Sequence, residues 1–230
     1  MALTGQFASA AAHAATSQVS HNVSQAIGKP LTSGAPSGRM PGHSEINWVD
    51  FNYPPLIRLV HFDLNELPST LTGLVRCLNI SFQITVITCL LNLFDTLVIV
   101  MSTRAPFRWL VQSALHMLLL PVAALGTFYS GYRGLSEPDS TLVFRFKVAQ
   151  PALAFAYFLL GVTPWGCTNG LAQLGDMTNY TDGSVFWVVV IIIESFLWLS
   201  NCALASANVF RAYKWDIFGV GPSAGPAGRL

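Results

Sequence analysis

The sequence predicts an all-α integral membrane protein: four transmembrane helices arranged as two hairpins, with both termini in the cytosol. Three observations carry this expectation. The 230-residue chain is 52% hydrophobic and only 10% charged, with mean hydropathy +0.50, whereas a soluble domain carries about 25% charged residues. The few charges are segregated, leaving apolar runs of roughly twenty residues, the length a helix needs to cross a bilayer. The basic residues are also asymmetric. With four spans, Lys29, Arg39, Arg58, Arg76, Arg133, Arg145, Lys147, Arg211, Lys214 and Arg229 fall on one side, and Arg104 and Arg108 on the other. The positive-inside rule makes the first side cytosolic.

Residues 1–46 hold no acidic residue before Glu45 and are rich in Ala, Ser and Gly, the composition of a disordered cytosolic tail. No basic start leads into a short apolar run, so no cleaved secretory signal is expected, and the two basic residues Lys29 and Arg39 are too few for a typical transit peptide. Residues 47–73 form an aromatic, Pro-rich pre-membrane segment. Pro54-Pro55 forbids a helix there, and its Trp, Tyr and Phe residues suit a headgroup layer. Pro68-Ser69-Thr70 then signals a helix start, with Ser69 or Thr70 as N-cap.

The transmembrane domain covers 74–211, with spans at about 74–101, 109–129, 146–165 and 185–210; residues 212–230 are a cytosolic tail. The stretch from Tyr129 to Ser140, with its glycines, Pro138 and sparse charges, reads as a broken linker joining the two hairpins on the cytosolic side. The connection 166–183 carries no Lys or Arg and lies on the opposite side.

Net charge +1 points to neither nucleic acid nor a strongly acidic partner. The four cysteines, Cys77, Cys89, Cys167 and Cys202, form no CxxC pair, and the histidines do not cluster, so neither a disulfide framework nor a metal site is expected. Intrahelical cysteines act as small apolar fillers; Cys77, at the cytosolic end of a span, is also placed for palmitoylation. No Gly-x-Ser-x-Gly, His-Glu-x-x-His or phosphate-binding loop is present. The expectation is a non-enzymatic protein with no cofactor.

Three groups of residues stand out. Arg133, Arg145 and Lys147, flanked by Tyr129, Tyr132, Phe144 and Phe146, are candidates for anionic-lipid contact, each cation gaining about 1 kcal/mol near such a surface; an ordinary positive-inside flank would look the same. Asn92, Asp95 and Glu194 are polar residues inside spans, the two acids at comparable depth in the lumenal half. An ionised carboxylate at mid-membrane costs about 2.5–3.5 kcal/mol, so they belong either to an ion or proton pathway or to polar contacts between helices. The absence of an intramembrane Lys or Arg favours the contacts. Asn179-Tyr180-Thr181 is a glycosylation sequon on the lumenal side.

The order of features resembles the secretory carrier membrane protein (SCAMP) family. Asn52-Tyr53-Pro54-Pro55-Leu56 is similar to the family's aromatic Pro-Pro step. His61-Phe62-Asp63-Leu64-Asn65-Glu66-Leu67-Pro68 resembles its His-Asp-Ile to Glu-Ile-Pro segment. Cys89-Leu90-Leu91-Asn92 resembles the polar end of its first span, and Glu194-Ser195 the Glu-Ser of its fourth. The resemblance spans about 47–215. In the linker one Tyr-Arg pair, Tyr132-Arg133, is kept and the family's other arginines are not; the tail lacks Asn-Pro-Phe repeats. The resemblance implies a divergent, short-tailed member acting in post-Golgi and endosomal vesicle trafficking, exocytosis and endocytosis. Its expected partners are membrane lipids, phosphoinositides among them, and cytosolic trafficking factors, and a homo-oligomer is compatible with it. The expected location is trans-Golgi, endosomal and plasma-membrane vesicles. The rival readings are a small transporter or channel using the intramembrane carboxylates, and a structural subunit of an organellar, mitochondrial membrane complex.

Overall fold

The computed structural model describes residues 46–103, 105–137, 139–175 and 185–217. Four long helices dominate: α1 Ser69–Ser102, α2 Arg108–Ser136, α3 Ser140–Val162 and α4 Val185–Ile217, with a short 3-10 helix at Leu171–Gly175 between α3 and α4. All four are long and apolar enough to cross a membrane. The shortest, α3, has 23 residues and at 1.5 Å per residue spans about 35 Å, against about 30 Å of hydrocarbon. Among the described residues there is no strand, only an isolated bridge between Tyr53 and Val60.

The short connections after α1 and α2 force α1–α2 and α2–α3 antiparallel. α1 packs on α2 and α4, and α3 packs on α2 and α4, closing a four-helix bundle. Three buried clusters mark its levels. At the end that carries the α2–α3 turn, here the linker end, Leu74, Leu78, Phe82, Phe128, Tyr132, Phe146 and Ala212 meet. Cys89, Tyr157, Trp198 and Ala205 fill the middle. Ile99, Trp109, Trp187 and Ile191 close the far end. Large apolar side chains such as Ile87, Phe94, Leu118, Val122, Phe155 and Phe196 point outward, as they must where the surrounding solvent is lipid.

The helices depart from the expected spans in places with physical causes. α2 runs seven residues beyond 129, through to Ser136, so the broken linker shrinks to a turn of three residues. Its glycines do not break the helix; they let it approach α3. A Cβ on Gly131 would come within 2.8 Å of Phe146 Cδ2, and one on Gly134 within 2.9 Å of the Val143 backbone nitrogen. Asp139 starts α3 as a true N-cap, accepting from the backbone N–H of Thr141 at 2.8 Å and of Leu142 at 3.3 Å. α3 stops at Val162 rather than 165, because Pro164 forces Thr163 into extended backbone. α1 starts one turn earlier than 74, with Pro68 at the N-cap position and no side-chain cap, so neither Ser69 nor Thr70 plays that part. Pro121 and Pro151 sit inside helices, as expected.

Candidate functional sites

The linker end is built by the pre-membrane segment folding onto α2. Helical spacing puts Phe128, Tyr132 and Leu135 on one inward face of α2. Trp48, Tyr53 and Phe62 cover that face. Trp48 lies 5.2 Å from Tyr132 between ring centres, Phe62 lies 5.6 Å from Tyr132 and 5.3 Å from Phe128, and Tyr53 lies 5.8 Å from Phe128. The Tyr53 hydroxyl donates to Asn79 Oδ1 at 2.6 Å, tying the segment to α1. Asp63 N donates to the Tyr132 hydroxyl at 3.3 Å. Trp48, Tyr53 and Phe62 therefore pack onto the linker end of the bundle, whereas Phe51 stays exposed.

His61 is the pin of this segment. It is buried, with Nε2 2.7 Å from Glu66 Oε2 and Nδ1 3.0 Å from the Asp50 carbonyl. Burial alone would lower its pKa, but the Glu66 carboxylate and the Asp50 carbonyl outweigh it and hold the value above the ordinary 6.5.

The residues expected to meet lipid have different surroundings. Tyr132 is fully buried, 0% exposed, which corrects its assignment as a lipid contact: its ring is core because α2 remains helical there. Arg133 is held within the protein. Its Nη1 donates to the Tyr129 hydroxyl at 2.9 Å, its guanidinium stands 5.2 Å from the Trp48 ring centre, and its Nε is 3.7 Å from Glu137 Oε2. Trp48 Nε1 in turn donates to Glu137 Oε1 at 2.6 Å. Phe146 is buried against Gly131, whereas Phe144 is exposed. Arg145 is exposed on the first turns of α3, and Lys147 lies with Nζ 5.4 Å from the Tyr213 ring centre on α4. Beside them Arg211 Nη1 lies 3.1 Å from Cys77 Sγ. Asn179 lies outside the described residues.

The second site lies inside the bundle toward the far end. Asn92, Asp95 and Glu194 do come together there, and all are buried. Glu194 accepts from three donors: Asn92 Nδ2 at 3.0 Å, Trp198 Nε1 at 3.2 Å and Asn169 Nδ2 at 2.7 Å. Asn92 also donates to the Cys167 carbonyl at 2.7 Å and accepts from Ser113 Oγ at 2.7 Å. Ser195 Oγ donates to the Asn169 carbonyl at 2.9 Å. Asp95 faces Glu194, and among the described residues no donor reaches its Oδ2. A single proton between the two carboxyls would close that gap, one acid donating to the other. Two turns further in, Ser81 Oγ donates to Asn201 Oδ1 at 2.6 Å, Asn201 Nδ2 donates to Thr85 Oγ1 at 2.9 Å, and Thr85 meets the Tyr157 hydroxyl at 2.7 Å. Nearly every polar atom of this column has a protein partner, the pattern of hydrogen-bonded contacts between helices.

Sequence reasoning missed Asn169, Cys167 and Trp198 as parts of this site. The connection after α3 folds back into the bundle, burying Cys167, Thr168, Asn169 and Gln173. Cys167 Sγ also lies 3.6 Å from His116 Nδ1. Among the described residues no group of three His, Cys, Asp or Glu side chains could hold a metal ion.

The sequence model of the SCAMP family matches residues 50–216. That interval holds the pre-membrane segment from residue 50 on and all of the first three helices, and it ends in the last turn of α4. No curated protein and no solved structure matches the chain.

Proposed function

The chain belongs to the SCAMP family, whose role is that of a membrane-trafficking carrier, and from that premise we propose that it works on post-Golgi and endosomal vesicles without catalysing a reaction. It acts by contacting anionic lipid, phosphoinositides included, through the linker end of the bundle, and by presenting that end to cytosolic trafficking factors. The observation that carries this reading is the placement of Arg145 and Lys147 where α3 begins and of Arg211 and Lys214 where α4 ends, the two ends joined by Lys147 against Tyr213, with Phe144 exposed. Cations at that level attract an anionic leaflet, and an exposed aromatic ring suits the interface. Arg133 contributes less than its place in the sequence suggests, since Tyr129, Trp48 and Glu137 already surround it.

Imaging a fluorescent fusion at the C-terminus tests the trafficking reading. Signal on endosomes and the trans-Golgi supports it. Signal confined to mitochondria would move the protein to the organellar-subunit reading. The transporter reading gains nothing specific, because the polar atoms around Glu194 are paired with protein groups in the manner of contacts between helices.

A further inference from the structure

We propose that residues 54–60 form an apolar finger that inserts shallowly into the leaflet at the linker end, beside α1 and α2, and acts there as a one-sided membrane wedge. The inference goes beyond the lipid contact of the linker cations and rests only on the bundle crossing a bilayer.

The finger's backbone N–H groups are largely closed by its own carbonyls. Residues 54 and 55 are prolines and have no N–H to satisfy. Of the other five residues, four have their N–H groups bonded within the finger. Ile57 N and Arg58 N donate to the Pro54 carbonyl at 3.0 and 2.8 Å, and Leu59 N and Val60 N donate to the Tyr53 carbonyl at 2.9 and 2.8 Å. The Val60 carbonyl accepts from Asn52 N and Tyr53 N, closing the base. Among the described residues no hydrogen bond reaches the carbonyls of residues 55–59, so the backbone fits the hydrated boundary between headgroups and hydrocarbon and no deeper.

Its side chains are sorted the wrong way for water. Leu56 is 98% exposed, Ile57 65% and Leu59 53%, while the aromatics at the base, Tyr53 and Phe62, turn inward onto Phe82 and Phe128. Arg58 sits at the tip with φ +50°, a left-handed conformation an L-residue rarely adopts. It is the one charge in 54–60, placed to reach phosphate while its stem lies along apolar surface.

Depth identifies what covers these side chains. The far-end interface lies near Ile99, whose cluster contains Trp109 and Trp187. The roughly twenty residues that cross about 30 Å run back from there to about Ile80, which is itself exposed and apolar. The Tyr53 hydroxyl is bonded to Asn79 and its ring lies against Phe82 and Phe128, so the base of the finger is anchored at the hydrocarbon edge, with Leu56, Ile57 and Leu59 exposed beyond it. At that level the surrounding medium is lipid. Apolar side chains inserted at one interface only expand that leaflet relative to the other, the geometry that makes shallow insertions sensitive to curvature.

The test uses the full chain in nanodiscs of neutral phosphatidylcholine, so that loss of the linker's anionic-lipid contact cannot mimic the result. An environment-sensitive NBD label is placed at Leu56→Cys, and at Asn65→Cys, an exposed polar position of the same segment, with labelling of the parent chain subtracted. The expected result is blue-shifted emission at position 56, quenched by lipids carrying a shallow doxyl group and shielded from aqueous iodide, with the reverse at position 65. Ile57→Cys gives the same readout should Leu56→Cys fail to fold. Emission and iodide quenching at 56 and 57 equal to those at 65 would overturn the proposal.

Discussion

Glu194 and Asp95 differ in what their surroundings supply, and substitutions at the two should differ accordingly. Glu194→Ala strips the acceptor from Asn92, Asn169 and Trp198. Trp198 shares a helix with Glu194, so two of these contacts join separate elements; at about 0.6 kcal/mol each, the bundle loses about 1 kcal/mol, read as a lower thermal midpoint in detergent. Asp95→Asn puts a permanent donor opposite Glu194, where Asp95 Oδ2 has no donor among the described residues. Stability should hold or rise; a loss as large as that of Glu194→Ala would contradict the shared-proton geometry. His61 adds a pH dependence. Its pKa in the folded chain is raised above 6.5, so its contribution is complete below about pH 6.5 and is lost as pH rises through the folded value. Hydrogen exchange at the amides of Leu59 and Val60 should therefore quicken on going from pH 6 to 8, beyond the intrinsic base catalysis. His61→Phe should remove that excess.

At the scale of helices, Gly131 and Gly126 make a controlled pair on α2. Gly131→Ala drives a Cβ into the Phe146 ring and toward Leu78 and should cost about 1–3 kcal/mol by overpacking. Gly126→Ala meets nothing within 4 Å and should stabilise by up to about 1 kcal/mol through helix propensity. Equal effects in a thermal-unfolding series would show that the α2–α3 approach is looser than described. The same glycines explain what the sequence concealed. Length and hydropathy made the four spans legible, because a helix crossing lipid must be long and apolar whatever it packs against. The linker was not legible, because Gly131, Gly134 and the charges beside them have the composition of a turn, and only the neighbouring Phe146 reveals that the glycines serve packing. Asn92, Asp95 and Glu194 could be found as polar residues in apolar runs. Asn169 could not, since nothing local distinguishes a loop asparagine that reaches water from one that reaches a carboxylate 25 positions away.

For the molecule as a whole, the pre-membrane segment and the four helices act as one unit at the linker end, where Trp48, Tyr53 and Phe62 belong to the same buried cluster as α1, α2, α3 and α4. Charge asymmetry predicts a cytosolic placement for that end, and epitope access tests it. A C-terminal epitope should be reached by antibody after selective permeabilisation of the plasma membrane, and one placed in the α3–α4 connection should not. The measurement that bears most directly on the function is titration of the full chain, in neutral nanodiscs, with a short-chain phosphatidylinositol bisphosphate. Binding that weakens strongly in Arg145→Gln/Lys147→Gln, and much less in Arg133→Gln, is the predicted result. Affinity unchanged by the double substitution, or lost through Arg133→Gln alone, would contradict the account.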